Sequence, residues 1–261
     1  MVNVHFYGDA PYAAALIHGG PGAAGELAPL AQRLAANGLS VLEPLQTADS
    51  VDGQIEELAK ILAQFACTPA TLLGYSWGAW LALLTAARYP EQVKKLILVS
   101  SGSLKEQYAQ NTLEKRLQRL APSARQEAQR LLKILEGALE AGEDNALARL
   151  GEILSSADAY DPVPGPFEPA EVQMHIYQRV WAQAAELRRS GELLRSATVV
   201  QCPVIAIHGD FDPHPWQGVK EPLEKVLSSF EFVLLENCGH KPWIEQQACD
   251  PFFNFLFKTI I

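Results

Sequence analysis

Within ten residues, "IHGDFDPHPW" (207–216) places His208, Asp210, Asp212 and His214 at alternate positions. Two imidazoles and two carboxylates could be a metal's donor set, a pair of acid–base catalysts, or part of a site completed elsewhere. Alternate residues share a face only while the chain stays extended. Gly209, Pro213 and Pro215 interrupt such a strand, so no metal is expected here and the partners must be sought elsewhere in the chain.

A nucleophile comes first. "GYSWG" (74–78) fits G-x-S-x-G between a predicted strand and a predicted helix. A serine on so sharp a turn needs small neighbours, here Gly74 and Gly78. The helix opening at Trp77 turns N–H groups and its positive dipole end toward a developing oxyanion. Ser76 also needs a base, because a free hydroxyl is a weak nucleophile. The candidates are His5, His18, His175, His208, His214 and His240. His240 sits in the glycine-containing loop "ENCGHKPW", directly after the last predicted strand, and such a loop can return the imidazole to the strand-end face that bears Ser76. His208 ends a buried strand and is read as packed there.

"HGGPG" (18–22) follows the first strong strand. Its glycines let the backbone approach a ligand and leave an N–H free to point at it. Pro21 cannot donate, so the oxyanion donor is a glycine before it, with Gly20 preferred. The third group, a carboxylate that orients the histidine, is Asp210 or Asp212. Both follow the penultimate strand and precede His240; on chain order either serves.

The elements that would carry these residues alternate. Runs at 13–20, 39–45, 71–76 and 95–101 read as buried strands of a mostly parallel sheet. Between them lie helical patterns at 25–38, 51–65 and 77–90. In the second, Ile55, Leu58, Ile61, Leu62 and Phe65 form one apolar stripe; Gly38 is expected to stop the first and Pro90 to follow the third. From 103 to 196 no strand is expected. Leu113, Leu117 and Leu120, then Leu131, Leu135 and Leu139, keep helical spacing. Four prolines interrupt at 161–169, and a helix is expected over 171–190. Strands resume at 202–209 and 230–236, and Asp250 with Pro251 reads as N-cap and first turn of a last helix. The expected organisation is an α/β core, 1–102 with 197–261, split by a helical cap, 103–196.

A net charge of −9 argues against a nucleic-acid partner. No apolar run reaches the length that spans a bilayer, and no leader is visible, so a cytoplasmic setting without membrane association is expected. Four separated cysteines without a C-x-x-C pair are expected to be free and mostly buried.

Taken together and in this order, "HGGPG", "GYSWG", "GDFD" and "CGHKPW" resemble the α/β-hydrolase superfamily over essentially the whole chain. The resemblance implies a Ser76–Asp212–His240 triad, the acid being Asp212 because members similar to this chain carry it after the glycine that ends the strand, here Gly209. It implies oxyanion donors at Gly20 and Trp77. Serine at position 76 argues against a dehalogenase or epoxide hydrolase. His208, Asp210 and His214 are left as packing or loop-bonding residues. "HGGPG" with "SWG" looks most like the proline iminopeptidase branch, although "LEPLQTAD" stands where that branch has D-x-R-G. Its amine-binding acids have only positional counterparts in Glu168, Glu171 and Glu186.

The activity so implied is hydrolysis of an ester or amide of a small molecule or short peptide through an acyl-enzyme, with no cofactor. Tyr177, Trp181 and Trp216 are candidate pocket aromatics. The alternatives are a proline iminopeptidase-like aminopeptidase, or a lyase, transferase or ligand-binding member of the fold.

Overall fold

The computed structural model describes residues 3–136, 144–164 and 171–260. The first half alternates strands with helices: β1 (Val4–Tyr7), β2 (Tyr12–Ile17), β3 (Ala23–Ala24), α1 (Ala28–Ala36), β4 (Val41–Pro44), α2 (Val51–Phe65), β5 (Ala66–Tyr75), α3 (Trp77–Arg88) and β6 (Val93–Val99). A mostly helical stretch follows, with α4 (Thr112–Arg119), α5 (Pro122–Glu136), α6 (Asp144–Asp158), β7 (Glu171–Val172), α7 (Met174–Arg189) and α8 (Glu192–Ala197). Alternation then resumes with β8 (Val204–Gly209), α9 (Gln217–Val226), β9 (Phe230–Leu235) and α10 (Cys249–Thr259).

Seven strands form one sheet in the order β1-β4-β2-β5-β6-β8-β9, parallel throughout except that β1 runs antiparallel to β4. Five of the apolar runs read as strands are the inner members of this sheet and the sixth is its edge strand β9; β4 and β8 are buried along their whole length. Burial on both faces is what an unalternating apolar strand requires. One face packs α2, α3 and α9 against residues such as Leu72, Leu96 and Val204; the other packs α1 and α10 against Leu73, Ile97 and Ile205.

Local signals in the sequence fix several boundaries. The α2 helix spans 51–65 as expected, and the Ser50 hydroxyl accepts the Gly53 N–H at 3.1 Å. Gly38, at φ +81°, stops α1: its N–H reaches Ala35 O, and the Leu39 N–H reaches Leu34 O. Two expected helix starts need correction. Helical bonding in α10 starts two residues before Asp250, because Ala248 O accepts the Phe252 N–H; the Asp250 carboxylate pairs with Arg33 at 2.8 Å instead of capping. The stretch read as a helix from 171 begins as β7, paired antiparallel with β3, and becomes helical only at Met174.

The segment 103–196 packs in two ways. Leu120, just after α4, with Leu131 of α5 and Leu150 and Ile153 of α6, forms a separate cluster, whereas Ile176, Val180 and Ala184 of α7 join the main core beside α3. Leu113 is exposed, and Leu139 lies outside the described residues. The cysteines are free, but only Cys238 is buried: Cys67 is exposed and Cys202 and Cys249 are half-buried, so the expectation that they are mostly buried does not hold. Among the described residues no helix is long and apolar enough to cross a membrane.

Candidate active site

Because β2, β5, β8 and β9 run parallel, their C-terminal ends meet along one edge of the sheet. The loop after β2 carries His18, Gly19 and Gly20; Ser76 follows β5, Asp212 follows β8 and His240 follows β9. Residues 164 positions apart in sequence are thereby in contact.

Ser76 has φ +53°, ψ −114°, a conformation that L-residues rarely adopt, and holds it between β5 and α3. The flanking glycines make the turn possible by absence. A Cβ on Gly74 would lie 2.2 Å from Gly78 O, and one on Gly78 would lie 2.1 Å from Ile17 O. The helix start therefore touches both its own strand and the end of β2. Trp77 is the first residue of α3, so its N–H has no acceptor within the helix. Its indole N–H donates to Gln46 Oε1 at 2.9 Å, and Gln46 Nε2 donates to His18 O at 2.8 Å. Gln46 thus ties the first turn of α3 to the glycine loop containing Gly20, which itself sits at φ +40°.

Ser76 Oγ is 3.2 Å from His240 Nε2, and His240 Nδ1 is 2.6 Å from Asp212 Oδ2. An ionised carboxylate only accepts, so His240 carries its proton on Nδ1 and offers Nε2 to the Ser76 hydroxyl. The rings of Tyr75 and His214 pack against His240, with centroids 5.0 and 4.7 Å away. Asp212 is buried; burial alone would raise its pKa, but His240, His208 and His214 hold the carboxyl well below the usual carboxylate range. Burial lifts the Tyr75 hydroxyl well above its ordinary value, so it stays neutral.

The other residues of "IHGDFDPHPW" separate in role. The strand ends at Gly209, where a Cβ would lie 2.2 Å from Cys238 O and so push away the loop of His240. Asp210 Oδ1 accepts the Cys238 N–H at 3.1 Å, bonding the two loops together. His208 Nε2 donates to His214 O at 2.9 Å. His214 does more than bond a loop: its N–H and its Nδ1 both face Asp212 Oδ1, at 2.9 and 3.0 Å. Donor atoms of Asp212, His214 and His240 all lie within 4.8 Å of one another, and the hydrogen bonds among them account for that convergence.

Three supporting groups gave no clear signal in the sequence. Glu245, fully buried, accepts the N–H groups of Gly239, Tyr160 and Asp161. Asp158, at the end of α6, accepts the His240 N–H on its backbone oxygen at 2.9 Å. Its carboxylate is bound by Arg116 through two hydrogen bonds of 2.7 Å. Lys241 Nζ pairs with Glu26 Oε1 at 2.9 Å, and a Cβ on Gly19 would lie 2.9 Å from the other oxygen of Glu26.

Of the aromatics, Tyr177 and Trp181 stack nearly parallel on α7, and Trp181 continues the stack onto Trp80 of α3 at 6.0 Å. Trp216 stands apart from this stack, its ring against Phe232 of β9. Glu186 is turned to Arg189 on the surface, Glu171 lies in β7, and Glu168 is outside the described residues.

A strand-order reversal of this kind, with a serine elbow and a histidine loop on one edge, defines a class of fold. A family model described as "alpha/beta hydrolase fold" matches residues 16–246, and the chain belongs to that family. Solved structures agree at the level of fold. VinJ superposes with TM-score 0.69 at 18% identity, over 98% of this chain and 93% of that chain. The thioesterase domain from the curacin biosynthetic pathway gives 0.62 at 20%, over 98% and 94%. The meta-cleavage product hydrolase CumD from Pseudomonas fluorescens IP01 gives 0.63 at 20%, over 98% and 92%. No curated protein sequence matches the chain.

Proposed function

We propose that the protein is a serine hydrolase that cleaves an ester or amide of a small substrate by acyl transfer. The observation that carries this reading is the hydrogen-bonded line from Ser76 through His240 to Asp212, with Ser76 held at positive φ. In the proposed reaction His240 Nε2 takes the Ser76 proton as Oγ attacks the carbonyl carbon. Asp212 stabilises the imidazolium, and the N–H groups of Gly20 and Trp77 receive the oxyanion. Nε2 then returns the proton to the leaving oxygen or nitrogen, and water, deprotonated by the same nitrogen, releases the acid and restores the serine. No cofactor takes part in these steps.

The segment 103–196 acts in this proposal as the cap, with Tyr177 and Trp181 offering an apolar wall to the acyl or leaving group. The two charged pairs beside the site, Arg116–Asp158 and Lys241–Glu26, are internally neutralised, which favours an uncharged substrate.

Fluorophosphonate labelling tests the reading: wild type should label at Ser76, and Ser76→Ala should not. Equal labelling of both proteins removes the nucleophile assignment. A screen of chromogenic esters beside prolyl and other aminoacyl amides then separates esterase from aminopeptidase. Fast cleavage of the prolyl amide alone points to the peptidase.

A further inference from the structure

Asp212 is enclosed by three imidazoles, and the reaction proposed above uses only that of His240. His240 takes Oδ2 at 2.6 Å, while His214 covers Oδ1 with its backbone N–H and its Nδ1. His208 Nε2 lies 3.3 Å from Oδ2 and bonds His214 O at 2.9 Å. Every ring nitrogen that faces these oxygens meets an acceptor, so each must carry a proton. That assigns Nδ1–H to His240, Nδ1–H to His214 and Nε2–H to His208. The remaining nitrogen of His208, Nδ1, is buried and has no hydrogen-bond partner among the described residues. A proton there would be an unpaired buried donor, so His208 is neutral.

His214 and His240 are in ring contact at 4.7 Å. Two imidazolium ions at that separation repel, and the reaction needs the charge on His240. Burial pushes the pKa of His214 down to about 4, with Arg116 and His240 acting in the same direction and Asp212 against it. His214 therefore donates a neutral N–H to Asp212 without competing for the proton that Ser76 releases.

We propose that His214 is a positioning residue: by filling Asp212 Oδ1 with two donated hydrogen bonds, it keeps Oδ2 for His240 and moderates the carboxylate's hold on the His240 proton. The inference rests on the Ser76–His240–Asp212 reading. The charged and titratable groups that bear on this cluster come from several elements. Tyr75 lies at the end of β5, Arg116 and Arg119 on α4, Asp158 on α6, and His208 at the end of β8. Arg116 and Asp158 neutralise each other, and Arg119 stacks on Phe211, which leaves Asp212 as the anion in contact with His240.

Removing the His214 Nδ1–H donor concentrates negative charge on Asp212 and stabilises the His240 imidazolium. The base is then free only at higher pH. The experiment is the pH dependence of the fluorophosphonate labelling rate at Ser76 in wild type, His214→Phe and His214→Asn. Phenylalanine keeps a flat ring against His240 and the backbone N–H to Asp212 Oδ1 but removes the Nδ1–H donor; asparagine places an amide N–H near the site of Nδ1–H.

The acid limb should move up by about 0.5–1 pH unit in His214→Phe and return toward wild type in His214→Asn. An unmoved limb in His214→Phe, or an equal shift in both variants, overturns the proposal. Imidazole ¹⁵N NMR of the wild-type protein is an independent test that needs no variant to fold. His214 should stay neutral, with its proton on Nδ1, between pH 5 and 8; an Nε2–H tautomer or titration in that window also overturns it. Loss of the underlying triad reading is distinguishable, because it appears as absent Ser76 labelling in wild type whatever the tautomer of His214.

Discussion

Glu245 holds the residue that precedes His240: its Oε1 accepts the Gly239 N–H at 2.9 Å from a carboxylate that is fully buried. The same oxygen accepts the Tyr160 N–H, and Oε2 accepts that of Asp161. One side chain thus binds the histidine loop to the segment that leaves α6. A Cβ on Gly239 would lie 2.5 Å from Oε1 and 2.1 Å from Asp158 O, so the loop has no room to shift. Glu245→Ala removes the acceptor of three backbone donors, of which the Gly239 N–H is buried and those of Tyr160 and Asp161 are partly buried. At about 1–3 kcal/mol for a donor left buried and unpaired, urea unfolding should show a loss of about 1–3 kcal/mol. On the proposed reading turnover should fall more than KM rises, since His240 is displaced while Tyr177 and Trp181 are not. A variant as stable and as active as wild type contradicts this account.

Asp212 and Asp210 are two residues apart and do different work. Asp212 meets His240, whereas Asp210 Oδ1 bonds the Cys238 N–H. In Asp212→Asn the amide N–H₂ can face His240 Nδ1, which favours the tautomer with the proton on Nε2 and leaves no lone pair for the Ser76 hydroxyl. Turnover should fall on the order of 10³–10⁴-fold. Asp210→Asn keeps an acceptor oxygen and should lose less than about tenfold, roughly the effect of one weakened hydrogen bond. Steady-state kinetics of the two variants decide the ranking; the reverse order would move the acid to Asp210.

The contrast between these two residues shows what the sequence makes legible. The alternation of apolar runs and helical stripes fixes the sheet, because a strand buried on both faces must be apolar throughout, as β8 is. Gly74 and Gly78 reveal the serine elbow because backbone lies about 2 Å from where their side chains would begin. Choosing Asp212 over Asp210 requires knowing where the chain turns after Gly209, and no periodicity encodes that turn. Glu245, Asp158 and Arg116 were illegible for another reason. Each is an ordinary charged residue in a polar stretch, and its function depends on contacts 42 to 85 positions away along the chain. His214 was visible as a type but not as a partner, since Pro213 and Pro215 promised only a loop.

The low pKa of Asp212 links stability to pH, and the sign follows from its direction. A carboxyl whose pKa is lower folded than unfolded binds fewer protons in the native state. Its contribution is complete above the unfolded value of about 3.9 and is lost as pH falls through the lower folded value. His214, whose folded value of about 4 lies below the unfolded value of about 6.5, adds stability above the unfolded value that is lost as pH falls from there toward 4. Wild type should therefore lose stability steeply on acidification below about pH 6, in thermal or urea unfolding. Asp212→Asn should show a shallower acid limb; an unchanged limb would mean that other carboxylates dominate it.

Arg116 and Asp158 form the final test, because their ion pair joins α4 and α6 beside the histidine loop. The two side chains retain only 19% and 9% exposure, and both hydrogen bonds are 2.7 Å. A buried pair gains little over well-packed apolar residues, yet breaking it leaves one charge without a partner. Arg116→Met should cost about 3–5 kcal/mol, since the Asp158 carboxylate then stays buried and unneutralised. The damage should extend to catalysis, because the backbone oxygen of Asp158 holds the His240 N–H at 2.9 Å. Arg116→Met with Asp158→Leu removes both charges and should recover most of the stability. Because the backbone oxygen remains in the double variant, turnover should recover with it. Recovery of stability without turnover would instead show that the Arg116 guanidinium itself acts on the substrate or on His240.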